Sequence, residues 1–192
     1  MTVLILGLLI FLGTHSLRIV ADDWRNRHIA RLGAMRWKGI YALVSLVGFV
    51  LLCWGFGLAR QQPVLLYVPP MALRHLNSLL TLVAFVLLAA AYIPRNHFKT
   101  TLGHPMSLGV MLWASGHLLV TGMLRDVVLF GAFLLWATVL FSVSRRRDRA
   151  AGTSYPAGTL QGDAVTLLVG IGSWVAFTFW LHLWLIGVRP IA

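Results

Sequence analysis

Long apolar runs take up most of this chain. They lie at about residues 3–20, 39–58, 71–93, 105–121, 127–143 and 164–186. Each approaches the roughly 20 residues that an α-helix needs to cross a bilayer core. Backbone groups in hydrocarbon must find partners within the segment, and no alternating pattern suggests a barrel. The expected fold is all-α: a polytopic membrane helix bundle with about six transmembrane helices. Six spans and their connections consume the chain, so residues 1–192 are expected to form a single transmembrane domain with no separate soluble part. The first run lacks a basic leader and a small-residue cleavage site, so it is expected to be a retained span.

The charge supports the same picture. Sixteen Lys and Arg face only five Asp and Glu, a formal net charge of +11. In a soluble chain such a balance would suggest a nucleic-acid partner. Here the basic residues lie between apolar runs, which points to membrane topology, to the lipid bilayer as partner and away from nucleic acid. The connections after the first, third and fifth runs hold twelve Lys and Arg, and the other side holds Arg60, Arg74, Arg125 and Arg189. The basic side should face the cytoplasm and both termini the periplasm.

Little conventional chemistry is left. Cys53 is alone, so an intramolecular disulfide is impossible and a Cys-based zinc site is not expected. There is no glutamate, and the five aspartates lie at or near connections, which argues against paired-carboxylate catalysis. Neither a phosphate-binding glycine loop nor a Gly-x-Ser-x-Gly elbow occurs.

Seven histidines remain. His28 and His97 sit in polar connections, where a solvated ring needs no special role. His15, His75, His104, His117 and His182 lie at or inside span boundaries, where a polar ring is costly and faces a partner. His117 is the most deeply placed. His104 lies thirteen residues before it, roughly 20 Å along a helix and on another face, so the two cannot share one ion. His15 and His75 are the candidate partners of His117, and His182 is the third. By residue counting His117 is roughly 10 Å in depth from each of these levels, against metal–imidazole bonds of about 2 Å. A haem, with axial histidines on opposite faces, is easier to build than a cluster around one bare ion. Gly109, Ala114, Ser115 and Gly116 could let a flat macrocycle approach, or could serve ordinary helix packing. Arg74, beside His75, is a candidate partner for haem propionates or a snorkelling interface residue. His104 could cap the helix that Pro105 begins, and His182 is expected to reach water among the aromatic residues of the last span.

These motifs resemble those of the NnrU family of integral membrane proteins. The resemblance rests on residues 103–119, GHPMSLGVMLWASGHLL, continuing into LFGAFLLWA at residues 129–137, with Gly13-Thr14-His15-Ser16 near the start. It implies a bacterial inner-membrane protein associated with denitrification, that is, with nitrite and nitric oxide metabolism. A relative of the family, 15-cis-ζ-carotene isomerase, carries haem b on histidines. The resemblance therefore implies haem b, with His15 and His117 as the metal ligands and His104 as a further matched histidine. His75 and Arg74 remain candidates for cofactor contact from position alone. No catalytic residue is assigned.

Three functions follow as expectations: a haem protein of nitrogen-oxide metabolism, a haem-dependent isomerase of an apolar polyene, and a non-haem accessory or assembly protein. Their partners would be nitric oxide, an apolar small molecule, or other membrane proteins. The topology is testable directly. A reporter fused after Arg149 should behave as cytoplasmic, and an external signal there would overturn the six-span arrangement.

Overall fold

The computed structural model of the protein describes residues 1–191, and its regular structure there is helical. Five helices are long and apolar enough to cross a membrane: α1 (Thr2–Val20), α3 (Ala34–Arg60), α4 (Leu73–Tyr92), α7 (Leu124–Ala150), and a final one running Leu160–Ile186. A shorter apolar helix, α6 (Pro105–Val120), supplies the sixth expected span. Two short helices occupy stretches expected to be polar connections between spans. These are α2 (Asp22–Leu32) between α1 and α3, and α5 (His97–Leu102) between α4 and α6. The arginines at 145–149 are likewise not in a loop but on the last turns of α7. The final helix has three parts: α8 (Leu160–Ala176), a π turn (Phe177–Leu181) and α9 (His182–Ile186).

Local signals explain the boundaries. Gly33, at φ +82°, takes a conformation that side-chain-bearing residues rarely adopt and separates α2 from α3. Asn96 is 1% exposed and closes one helix while opening the next. Its amide nitrogen donates to the carbonyls of Ala90 and Ile93, and its oxygen accepts from the Lys99 backbone N–H that begins α5. Pro105 stands at the first turn of α6, where its missing N–H costs nothing.

The chain forms two compact units, Met1–Tyr67 with Met123–Ala132, and Val68–Gly122 with Phe133–Ala192. In the first, α1 and α3 pack antiparallel through glycine. Gly7 lies on the backbone of Leu52, Gly55 on that of Leu4, and Gly48 on Phe11. Val64 accepts a hydrogen bond from the Leu124 N–H (2.8 Å), and Leu65 and Met123 form an isolated antiparallel bridge. In the second unit, α4 is the central helix. Gly109 and Gly116 of α6 rest on one flank of it, against Ala84 and Leu87 and against Asn77 and Leu80. Gly170 of α8 rests on Val86. These glycines therefore serve helix packing, which in lipid relies on close backbone approach.

Large apolar side chains cover the outside of the helices. Leu9, Leu43, Leu135 and Leu168 are each more than 60% exposed. In water that surface would be an aggregation hazard, whereas in a bilayer it is the solvated surface.

The glycine contacts make a sharp prediction. Gly55→Ala would press a methyl group into the backbone of α1 and should cost about 1–3 kcal/mol, as overpacking does. Gly57→Ala meets nothing within 4 Å and should be neutral or mildly stabilising. Thermal unfolding of the detergent-solubilised variants measures the difference, and equal melting temperatures would refute the packing described.

Candidate functional site

In the second unit, α4, α6 and the final helix enclose a cavity of about 40 Å³. Asn77, Ser78, Thr81 and Phe85 line it from α4, and Trp113 and His117 from α6. The final helix contributes Trp174, Phe177, Thr178 and His182. Thr81 braces the wall. Its hydroxyl donates to the Asn77 carbonyl (2.9 Å) and accepts from the Trp174 indole N–H (3.1 Å). The side-chain oxygen of Asn77 is buried and has no hydrogen-bond partner.

The histidines share one local construction. Nδ1 of His117 lies 2.8 Å from the Trp113 carbonyl, four residues back. Nδ1 of His15 lies 2.7 Å from the Phe11 carbonyl. A carbonyl can only accept, so in each neutral ring the proton is on Nδ1 and the lone pair on Nε2. The ring of the residue four back also packs against each imidazole: Trp113 on His117 (5.3 Å between centroids) and Phe11 on His15 (4.3 Å). His28 repeats the pattern with Trp24, but outside the apolar helices. His15 belongs to the first unit, where the Tyr41 ring meets it edge-on. This tautomer is the one a metal-ligating histidine needs, with the second nitrogen donating to an oxygen. The donor chemistry of His15 and His117 thus fits an iron ligand.

The other candidate residues lie in different surroundings. His75 and Arg74 are exposed on the first turn of α4, and neither lines the cavity. His182 does line it, although residue counting places it at a different depth from His117. Trp174 and Phe177 line the cavity too, whereas Phe179, Trp180 and Trp184 of the same aromatic stretch are more than 50% exposed. Among the described residues no group of three or more His, Cys, Asp or Glu is gathered to hold a metal ion. Asn77 stands out in the sequence as a polar residue inside an apolar run, but the cavity that it lines does not.

A second polar cluster lies at the arginine-rich end of the same unit. His104 stands at the N-cap of α6, yet its side chain does not cap the helix. Instead Nε2 of His104 bonds an Asp148 oxygen (2.7 Å), which also accepts the Tyr155 hydroxyl. Gly103, at φ +74°, lets the Tyr155 ring pack on it. His97 is not merely solvated. Its backbone N–H and Nδ1 both reach Asp163, at 2.7 and 2.6 Å. The Thr100 hydroxyl donates to the Pro156 carbonyl, and Thr159 donates to that of Arg95. The segment between α7 and α8 is thereby strapped to the α5–α6 corner.

A family model described as NnrU protein matches residues 3–190. No curated protein matches this chain, and neither does any solved structure.

The polar cluster predicts an alkaline transition. Partial burial, and then the hydrogen bond to Asp148, push the Tyr155 phenol up to about 12. A phenol whose folded value is raised contributes stability that is full below its ordinary value near 10. That contribution is lost as pH climbs through about 12. Ultraviolet titration of tyrosinate should show a late step that Tyr155→Phe removes. A variant with an unchanged titration curve would contradict the arrangement.

Proposed function

Because this chain belongs to the NnrU family, we propose that it is a haem b protein of the membrane, with His117 and His15 as iron ligands, serving nitrite or nitric oxide metabolism. The observation that carries the reading is the construction shared by these two residues. Each imidazole stands in an apolar helix with Nδ1 tied to the carbonyl four residues back and Nε2 carrying the lone pair. The bond at Nδ1 fixes the ring plane and raises the basicity of Nε2. The aromatic ring below each imidazole limits its rotation. Both rings are partly buried, a condition that would tune the potential of a bound iron. Haem, when bound, would supply an iron that changes oxidation state and that would take a diatomic ligand only in exchange for one of the two histidines.

Optical spectroscopy of the purified protein, expressed with ample haem, tests the proposal. The dithionite-reduced protein should show a b-type spectrum and the pyridine derivative of haem b. His117→Ala should abolish both, His15→Ala should alter or abolish the spectrum, and nitric oxide should shift the reduced bands. A wild-type preparation that takes up no haem would sink the reading.

A further inference from the structure

The antiparallel pair of α1 and α3 ends in a concentration of positive charge. Glycine sets the register of the pair: Gly55 lies on Leu4 and Gly48 on Phe11. Continued along the helices, that register sets Val20 beside Gly39, so α3 begins about 7 Å beyond the end of α1. The helix α2 bridges this step. Single residues, Ala21 and Gly33, tie it to both neighbours, so it cannot leave the end of the pair. Trp24 and His28 of α2 also pack on Trp37 of α3, at 5.9 and 6.3 Å between ring centroids. Trp37 is buried, whereas Trp24 is exposed. An exposed tryptophan at the end of two apolar helices suits the headgroup level of a bilayer.

Six cations gather there from three elements. Arg18 stands on the last turn of α1, Arg25, Arg27 and Arg31 on α2, and Arg36 and Lys38 at the start of α3. Only two carboxylates, Asp22 and Asp23, accompany them. Asp22 pairs with Arg25 (3.6 Å). The other five cations are exposed, and among the described residues none of them forms an ion pair or a side-chain hydrogen bond. Arg27 and Arg31, four residues apart, share one flank of α2. The arginine-rich end of the second unit is built differently. There Lys99 donates to the Ala91 carbonyl (2.9 Å), and Arg145 lies over the Phe141 ring and reaches the Leu102 carbonyl. Those two cations serve the fold, whereas the five around α2 serve nothing inside the protein. Setting the orientation of the chain needs only charge on one side. It does not need a helix that fixes the charge at headgroup level.

We propose that α2, with the adjoining ends of α1 and α3, forms a binding surface for the headgroups of anionic phospholipids. Clusters of about four to eight Lys and Arg beside a membrane helix attract such lipids, and each cation near the surface adds to the attraction. The phosphodiester oxygens accept hydrogen bonds from guanidinium groups, which suit them in geometry and charge. Val20 and Met35 are exposed among the same cations and meet the acyl region. A zwitterionic headgroup offers the same phosphate with a compensating ammonium, so the surface discriminates by net charge. The proposal involves neither His15 nor His117 and stands apart from the haem reading.

Protein purified in a neutral detergent is titrated with phosphatidylglycerol or phosphatidylcholine, and its melting temperature is followed. Phosphatidylglycerol should raise it and phosphatidylcholine should not, and sodium chloride at about 0.5 M should remove the difference. Replacing Arg27→Gln and Arg31→Gln together leaves four cations at this end to hold the orientation. That variant should need about tenfold or more phosphatidylglycerol for the same response. Arg146→Gln with Arg149→Gln removes equal charge from an exposed part of α7 and should respond like the wild type. Circular dichroism confirms that both variants are folded. Equal responses to the two lipids, or an undiminished response in the folded α2 variant, would overturn the surface. An equal loss in the α7 variant would do so too, because net charge alone would then explain the binding. Inorganic phosphate giving the same protection would assign a plain anion site and likewise end the lipid reading.

Discussion

In hydrocarbon the proton of a polar side chain has one dependable acceptor, the carbonyl four residues back on its own helix. This chain uses it repeatedly. Thr14, Ser16, Ser78, Thr121, Thr138, Ser142 and Thr166 all donate to that carbonyl, at 2.7 to 3.1 Å. In a soluble helix such bonds compete with water and matter little. In a membrane helix they decide whether a polar residue can be present at all. For serine and threonine the bond ends the matter. For histidine it has a chemical consequence, because a ring that spends Nδ1 on a carbonyl keeps a lone pair on Nε2. The requirement that lets His15 and His117 exist in apolar helices thus also prepares them as ligands.

The second constraint is that lipid tails do not drive helices together as water does. Association depends on close approach and dense contact. Glycine provides this in both units, at Gly7, Gly48 and Gly55 in one, and at Gly109, Gly116 and Gly170 in the other. The glycine beside His117 illustrates the division of labour. Gly116 faces α4 and brings the helices together, while its neighbour His117 turns toward the cavity.

Much of this was legible in the residues. The apolar runs mark the spans because length and hydropathy are local properties, and Pro105 marks the start of α6 for an equally local reason. The polar connections were harder to read. Asp22–Leu32 is helical without a long apolar face, and the arginines at 145–149 continue α7 because nothing local stops that helix. His104 shows the limit well. Its place before a helix suggests a cap, yet Asp148 is 44 residues away in sequence and outbids the backbone as a partner. A charged acceptor makes the stronger bond, and only the chain's path brings it near.

The amino-acid sequence by itself determined that this is a helical membrane protein of the NnrU family, with few polar groups and with histidine as its main chemical resource. Composition and run length suffice for that, since a bilayer admits few alternatives. The tertiary structure decided which side chains share a space. Residue counting places His117 and His182 at different depths, yet the packing of α4, α6 and the final helix brings both to one cavity, and a π turn sets the face that His182 presents. A change of one residue in helical phase leaves almost no trace in a hydrophobic pattern, but it moves a side chain by about 100° around the axis.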